Sequence, residues 1–198
     1  MRKFAIYNVA SGEIKRSVFC SEADVALNAA SDESWVEADV SDASCYIQDG
    51  EPTHFPEKPS PHHEWDWSTK SWLPNLDAAR ESKLQQVAVE LNARLYLPCN
   101  GFDADHVSRG RISGTLARLQ RGDGLPAGWI GWRDASNQQH WAEDDAATVL
   151  ASLAALSCAI EDREQALLAA SWQHKANLNA LEDFAAILSY DTTTGWPS

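Results

Sequence analysis

The fold is decided by residues 143–188, which read EDDAATVLASLAALSCAIEDREQALLAASWQHKANLNALEDFAAIL. The stretch contains no glycine and no proline and is rich in alanine and leucine, so it predicts a long α-helix. Its apolar side chains recur at alternating steps of four and three, as in the seam of a coiled coil or helical bundle. We expect a self-association seam formed by Val149, Leu153, Leu156, Ile160, Leu167, Ala170, Leu181, Phe184 and Leu188.

Three polar residues, Arg163, His174 and Asn177, fall in the same frame. Polar side chains at seam positions lower stability but restrict register and oligomer state. We therefore expect a homo-oligomer, with a trimer favoured. A bend near residues 173–178, which would fold the stretch into a helical hairpin, is the competing interpretation.

The first part of the chain predicts a β-rich N-terminal module over residues 1–51. Residues 2–20 alternate in the manner of a hairpin around the turn dipeptide Ser11-Gly12. Ser21 is expected to cap a short helix that ends near Ala30. Two further strands are expected at Trp35-Val36 and at Cys45-Tyr46-Ile47.

Residues 52–75 combine a proline-rich arm with a miniature hairpin. Four prolines lie within residues 52–61, which predicts an extended connector or contact arm. The sequence WDWSTKSW at 65–72 predicts two short strands around a Ser-Thr-Lys bend. We expect possible partner contacts from the aromatic side chains of this segment: Phe55, Trp65, Trp67 and Trp72.

The remaining chain is predicted to be mainly helical, which makes the fold class α+β. A connecting helix is expected within residues 76–97, with one apolar stripe and a stop at Pro98. The C-terminal domain, residues 98–198, is expected to hold a short helix after Asp105, a hairpin over 129–141 and the long helix.

Charge excludes two classes of partner. The chain carries 29 acidic and 16 basic residues, a net charge of −13, and no basic stripe. A phosphate backbone or an anionic membrane surface would repel such a chain. The sequence also has no apolar run near the roughly 20 residues that a membrane span needs.

Motifs for metal binding and catalysis are poor matches. His62, His63, Glu64 and Asp66 resemble a metal cluster, but adjacent side chains of an extended segment point to opposite sides. The calcium-like start at Asp103 lacks the glycine and glutamate that such a loop needs. No nucleophile motif or phosphate loop is present. We expect a non-enzymatic protein with no metal and no cofactor.

Nine tryptophans leave a second class of function open. Indole rings stack on sugars, and paired carboxylates cleave glycosidic bonds, so a glycan-binding module or glycosidase is an alternative. The structural alternative is that Trp65, Trp67 and Trp72 form the core of their own hairpin. Under the same alternative, Trp129, Trp132 and Trp141 form the core of the hairpin over 129–141.

The order of these features resembles tailed-bacteriophage and prophage tail proteins. The front half carries the resemblance through the Ser-Gly hairpin, Cys45-Tyr46-Ile47-Gln48-Asp49-Gly50, the proline arm, the Trp hairpin and Asp77-Ala78-Ala79-Arg80. The back half resembles an uncharacterised alanine-rich domain found near tail-fibre and baseplate genes, through Gly101-Phe102-Asp103-Ala104-Asp105, Ile112-Ser113-Gly114, Trp132-Arg133-Asp134-Ala135 and the ending Tyr190–Pro197.

This resemblance implies a virion tail protein that is made in the host cytoplasm and binds other tail, baseplate or fibre proteins. It implies a structural component of the baseplate or of the fibre attachment. A fibre-assembly chaperone and a glycan-binding module of a host-recognition fibre are the alternatives. The family carries no catalytic residues that could be transferred to this chain.

Overall fold

A computed structural model describes residues 1–197 and has the predicted α+β fold class. The chain divides after Asn75 into two compact units. The first unit, Met1–Asn75, contains short antiparallel strands and one turn of 3-10 helix. The second unit begins at Leu76 and contains four helices and one small hairpin in its described part.

Seven strands build the first unit in three separate sheets. They are β1 (Arg2–Asn8), β2 (Ile14–Cys20), β3 (Glu33–Glu37), β4 (Cys45–Gln48), β5 (Glu51–His54), β6 (His63–Asp66) and β7 (Ser71–Pro74). The first sheet has the order β2-β1-β3, while β4–β5 and β6–β7 are two-stranded hairpins. The expected hairpin over residues 2–20, the strand candidates and the miniature Trp hairpin are thus all present.

The turn between β1 and β2 brings the first sheet against β4. Gly12 has φ +71°, and its carbonyl accepts a hydrogen bond from the Ile47 amide at 2.8 Å. A Cβ at position 12 would overlap the Ile47 carbonyl oxygen, so only glycine allows this approach. The side chains of Ala5, Ile14, Cys45 and Ile47, from β1, β2 and β4, pack together as the buried cluster of the unit.

The prediction of a helix from Ser21 to Ala30 is wrong. The helical part of this segment is a single 3-10 turn, Val25–Asn28. The Ser21 hydroxyl donates to the Asp24 carboxylate instead of capping a helix. The following chain is held by Glu33, whose carboxylate accepts the Ala30 amide and a hydrogen bond from each terminal nitrogen of Arg16. These contacts of Glu33, which lies on β3 paired with β1, fix the end of the 21–30 segment in a non-helical conformation.

The proline-rich arm is shorter than predicted. Pro52 pairs with Ile47 in the β4–β5 hairpin, and the Phe55 amide donates to Ser44 O at 3.0 Å. A two-stranded sheet has edges on both sides, where proline costs no ladder hydrogen bond. Within the predicted arm, residues 55–61 remain outside the strands.

The helical unit contains α1 (Leu76–Leu95), α2 (His106–Gln120), α3 (Ala146–Ala180) and α4 (Phe184–Ser189), with β8 (Trp132–Arg133) and β9 (Gln139–His140) paired between α2 and α3. Carboxylates cap three of these helices, as helix N-termini require. Asp105 accepts the Val107 and Ser108 amides, Asp145 the Thr148 amide and Asp183 the Ala186 amide. The predicted helix after Asp105 and the predicted second hairpin are present.

The long helix ends earlier than the sequence predicts. It has 35 residues, stops at Ala180 and is followed by the separate short helix α4. Arg80, on α1, donates to the Leu178 and Leu181 carbonyls and so satisfies the acceptors at the end of α3. The chain therefore breaks at Leu181–Asp183, and not at residues 173–178 as the competing interpretation predicted.

Side chains of the predicted seam pack inside the chain itself. Val149, Leu153, Leu156 and Ile160 are buried in one cluster with Ile112 and Leu119 of α2. Leu167 is buried and Ala170 partly buried in the C-terminal half of α3. Leu181, Phe184 and Leu188 are partly buried at and beyond the break. The stripe is thus the core of an intramolecular bundle, and association of copies stays a prediction.

The polar seam position Arg163 has an intramolecular role. Its guanidinium donates to the Leu97 and Pro98 carbonyls, each at 2.6 Å, just beyond the end of α1. Arg80, near the start of α1, binds the C-terminal end of α3, whereas the end of α1 lies beside Arg163 at the middle of α3. Helix α1 therefore runs antiparallel along the C-terminal half of α3.

Gly12→Ala should lower the free energy of unfolding of the first unit by about 2–5 kcal/mol. Alanine is strained in the left-handed backbone conformation of this position, and its Cβ would also overlap the backbone of Ile47. Gly50→Ala is the matched control, because Gly50 also has positive φ (+84°) but has open space at its Cβ position. That control should cost about 1–2 kcal/mol. Urea unfolding followed by tryptophan fluorescence measures both, and equal costs would contradict the close-approach argument.

Candidate interaction sites

Five aromatic side chains of the first unit form an aromatic cluster, which comprises Tyr46, Phe55, Trp65, Trp67 and Trp72. The cluster joins two hairpins, since Tyr46 lies on β4 and Trp65 faces Trp72 across β6–β7. Phe55 lies 4.9 Å from the Trp65 ring and 5.3 Å from the Tyr46 ring. All four aromatic residues proposed from the sequence as partner contacts therefore meet in one place.

Tyr46 was missed by the sequence reasoning, although strand alternation could have found it. Its neighbours Cys45 and Ile47 pack in the core of the first sheet and β4. Successive side chains of a strand point to opposite faces, so Tyr46 lies on the other face, beside the tryptophans. One short strand thus contributes to the core on one side and to the aromatic cluster on the other.

Asp66 holds the turn that positions Trp65 and Trp67. Its Oδ1 accepts hydrogen bonds from the Ser68 and Thr69 amides, at 3.0 and 2.7 Å, and from both hydroxyls, at 2.6 and 2.8 Å. These bonds, the one from the Ser68 hydroxyl first, lower the pKa of Asp66 from 3.8 to about 2. The charged carboxylate is therefore part of the structure of the turn.

Two lysines cover rings of the cluster. The Lys70 ammonium lies 5.4 Å from the Tyr46 ring centre and 5.2 Å from that of Trp67, and it donates to the Ser11 carbonyl. The Lys58 ammonium lies 5.3 Å from the Trp72 ring centre. Cation–π contacts of this kind stabilise exposed rings by about 0.5–1 kcal/mol each.

The rings of the cluster meet mainly edge to face. The interplanar angle is 82° between Phe55 and Trp65, 84° between Trp65 and Trp67, and 71° between Trp65 and Trp72. Aromatic pairs favour this arrangement for packing, whereas stacking on a sugar needs an open, flat ring face. The geometry therefore favours a miniature core with a half-exposed surface over a sugar-stacking platform.

A second candidate site is a cleft between α2 and the β8–β9 hairpin. We define this α2–hairpin cleft by its lining residues Asp103, Ser108, Arg111, Trp129, Ile130, Gly131, Trp132, Arg133, Asp134 and Asn137, which enclose about 410 Å³. Sequence reasoning predicted the hairpin but missed the cleft, because its two walls are separate elements along the chain.

Hydrogen bonds fix the hairpin wall of this cleft. Asp134 accepts the Ser136 and Gln138 amides with Oδ1, while its Oδ2 lies 2.9 Å from His140 Nε2. These contacts, the one with His140 first, lower the pKa of Asp134. The Trp129 indole N–H donates to the Trp141 carbonyl at 2.8 Å. The Asp–His pair and the tryptophan thus hold the turn.

The C-terminal Gly-Trp-Pro segment closes the helical unit. His174, a polar seam position, lies with Nδ1 2.9 Å from the Tyr190 hydroxyl and with its ring 4.9 Å from that of Trp196. Arg94 donates to the Thr193 carbonyl and lies 5.4 Å from the Trp196 ring centre. Asn177, the third polar seam position, donates to the Tyr190 hydroxyl at 3.4 Å.

The residues considered for metal binding lie apart or bind their neighbours. His63 contacts the Ser60 hydroxyl at 2.8 Å, and Asp66 is engaged by its turn. Across residues 1–197, no three histidine, cysteine, aspartate or glutamate side chains gather in a way that could hold a metal ion. Within the same range, every helix is too short or too polar to cross a membrane.

Acidification should loosen the Trp hairpin. Because the pKa of Asp66 is about 2 in the folded state and 3.8 ordinarily, its contribution to stability is present above pH 3.8 and is lost as the pH falls towards 2. Asp66→Asn should make the fall in stability between these values shallower, as measured by denaturant unfolding at successive pH values. Glu33 also contributes to the loss of stability in acid, since the hydrogen bond from Arg16 lowers the pKa of Glu33 to about 2. The variant Glu33→Gln removes that contribution, so that the effect of Asp66 can be measured by itself. An unchanged slope in Asp66→Asn would contradict the role of the charge.

Comparison with known proteins identifies the helical unit as a family domain. No curated protein and no solved structure matches the sequence. One family model, described as a domain of unknown function, DUF4376, matches residues 78–194. The match starts two residues inside α1 and ends within the C-terminal segment that closes the bundle, and it covers more than half of the chain. The protein therefore belongs to the DUF4376 family.

Proposed function

We propose that this protein is a non-enzymatic structural component of a bacteriophage tail, at the baseplate or the fibre attachment, and that it works by binding other tail proteins. The assignment to tails rests on the resemblance described above. The observation that carries the binding role is the aromatic cluster of the first unit, in which Tyr46 is buried while Phe55, Trp65, Trp67 and Trp72 stay partly exposed.

The composition of the cluster supports a protein partner. Tryptophan and tyrosine are enriched at the energetic centres of protein interfaces, since they bury a large area at a low cost in side-chain entropy. The Trp72 indole N–H already donates to the Pro56 carbonyl at 2.8 Å, so this ring is oriented before any partner binds. Ring orientation fixed in advance lowers the entropy that binding must overcome.

The arrangement in two units supports a connecting role. Each unit has its own buried cluster and its own group of half-exposed aromatic side chains. A chain built in this way can bind two neighbours. The net charge of −13 disfavours a role in packaging or injecting the genome through nucleic-acid contacts.

Trp67→Ala should reduce incorporation of the protein into purified particles at least tenfold, because the substitution removes a ring at the margin of the cluster. Trp35→Ala is the matched control, since Trp35 is a 39% exposed tryptophan on β3 outside the cluster. Particles are purified from cells in which each variant replaces the unaltered protein, and quantitative mass spectrometry measures its incorporation. Circular dichroism checks that both variants fold.

Two outcomes would contradict this proposal. Absence of the unaltered protein from purified particles, together with its presence during fibre folding, would indicate an assembly chaperone. Retention on a glycan array by the isolated protein, lost in Trp67→Ala, would indicate a sugar-binding module.

We further propose that the protein assembles as a trimer, which would match the threefold symmetry expected of a fibre. Because most of the predicted seam is buried inside the chain, another surface is the better candidate for this contact, and Trp172 on α3 is 64% exposed. Light scattering should give three times the chain mass, and Trp172→Glu should reduce it. Val107→Glu, at a 59% exposed apolar residue of α2, is the control. A monomeric unaltered protein would remove the trimer from the proposal.

A further inference from the structure

The α2–hairpin cleft presents two arginines with unused donors. The exposed guanidinium of Arg111, on α2, has no hydrogen bond or ion pair with any of residues 1–197. Arg133, on β8, donates one hydrogen bond from Nη1 to the Asn137 carbonyl at 3.1 Å, and its other guanidinium nitrogens find no acceptor in this described part of the chain. In a chain with 29 acidic residues, two arginines that lack a carboxylate partner in the same cleft are a specific feature.

Carboxylates of the cleft itself do not use these donors. Asp134 is engaged through both oxygens, by the Ser136 and Gln138 amides and by His140. Asp103 is exposed, and within residues 1–197 it forms no ion pair with either arginine. Guanidinium groups bind carboxylates through paired N–H donors, so the cleft is complementary to a carboxylate supplied from outside.

The same cleft has an apolar wall. The rings of Trp129 and Trp132 lie 6.5 Å apart at 43°, and Ile130 between them in sequence is 68% exposed. Arginine and tryptophan are the side chains most enriched at binding hot spots, where an apolar anchor lies beside a charged group. The wall is therefore suited to an aliphatic or aromatic side chain that neighbours the carboxylate.

Backbone geometry keeps this wall in place. Gly131 has φ +86°, and a Cβ there would overlap the His140 carbonyl oxygen, so the two strands of the hairpin approach closely at this point. The Trp129 indole is fixed by the Trp141 carbonyl. A volume of about 410 Å³ lies within the range of preformed binding pockets.

We propose that the α2–hairpin cleft binds an acidic segment of a partner protein, with a carboxylate on Arg111 and Arg133 and an apolar side chain against Trp132 and Ile130. This inference rests on the proposed function and specifies the kind of partner that the helical unit takes. A polyanion such as nucleic acid suits the cleft less well than a segment with one or two carboxylates, because Asp103 also lines the cleft and the repulsion from a strongly acidic chain grows with the number of charges on the ligand.

Fluorine NMR on the full chain labelled with 5-fluorotryptophan tests this binding. The probe is the peptide acetyl-Gly-Glu-Leu-Glu-Gly-amide, compared with versions in which glutamine or lysine replaces both glutamates. The acidic peptide should shift the Trp132 signal and leave that of Trp172 unchanged, since Trp172 lies on α3 and does not line the cleft. The glutamine peptide should bind about tenfold more weakly.

Arginine variants then locate the site. Arg111→Gln and Arg133→Gln should each weaken binding of the acidic peptide by about three- to tenfold. Arg121→Gln is the matched control, because Arg121 is an exposed arginine just after α2 that pairs with Asp123 at 3.0 Å outside the cleft. This control should leave the affinity unchanged.

Three results would overturn the inference: an unmoved Trp132 signal, equal affinity for the acidic and glutamine peptides, or an equal loss in Arg121→Gln. The proposed function is tested separately by particle incorporation. Failure of the peptide experiment with normal incorporation would reject the cleft assignment alone, whereas peptide binding by a protein absent from particles would reject the structural role alone.

Discussion

The helical unit depends on the burial of one apolar stripe that is longer than any single helix packed against it. At 1.5 Å per residue, α3 is about 52 Å long, while α2 and α1 measure about 22 and 30 Å. The two shorter helices therefore divide the stripe between them, with α2 on the N-terminal half and α1 on the C-terminal half. Without either helix, half of the stripe would be exposed to water, so both helices stabilise the unit.

The division of the stripe between two helices explains the polar residues within it, because each of them contacts a segment that packs on α3. Arg163 binds the Leu97 and Pro98 carbonyls just beyond the end of α1, where unpaired acceptors would otherwise remain. His174 and Asn177 contact Tyr190, in the segment that returns over α3. Polar residues in a heptad frame commonly specify an oligomer. In this chain they specify how its own segments pack.

The first unit is stabilised differently from the helical unit, because its strands are short and form three separate sheets that do not share one large core. Gly12 lets the β1–β2 turn approach β4, and the aromatic cluster joins the remaining two hairpins. A cluster of large rings stabilises a small sheet efficiently, and its outer edges stay accessible. The side chains that stabilise the hairpins of this unit are therefore the same ones for which we propose partner binding.

Local chemistry in the sequence by itself determined the α+β class, the first hairpin, the Trp hairpin and the helix that Asp105 caps, because these features depend on neighbours within a few residues. Heptad spacing likewise established that one face of α3 is buried. Spacing cannot tell which surface covers that face, so only the tertiary structure assigned it to α1 and α2 of the same chain. The carbonyls at the end of α3 are bound by Arg80, about a hundred residues away, and no local pattern could predict this contact. The α2–hairpin cleft likewise exists only where a helix and a hairpin pack together, and such tertiary contacts leave no periodic or local signal in a single sequence.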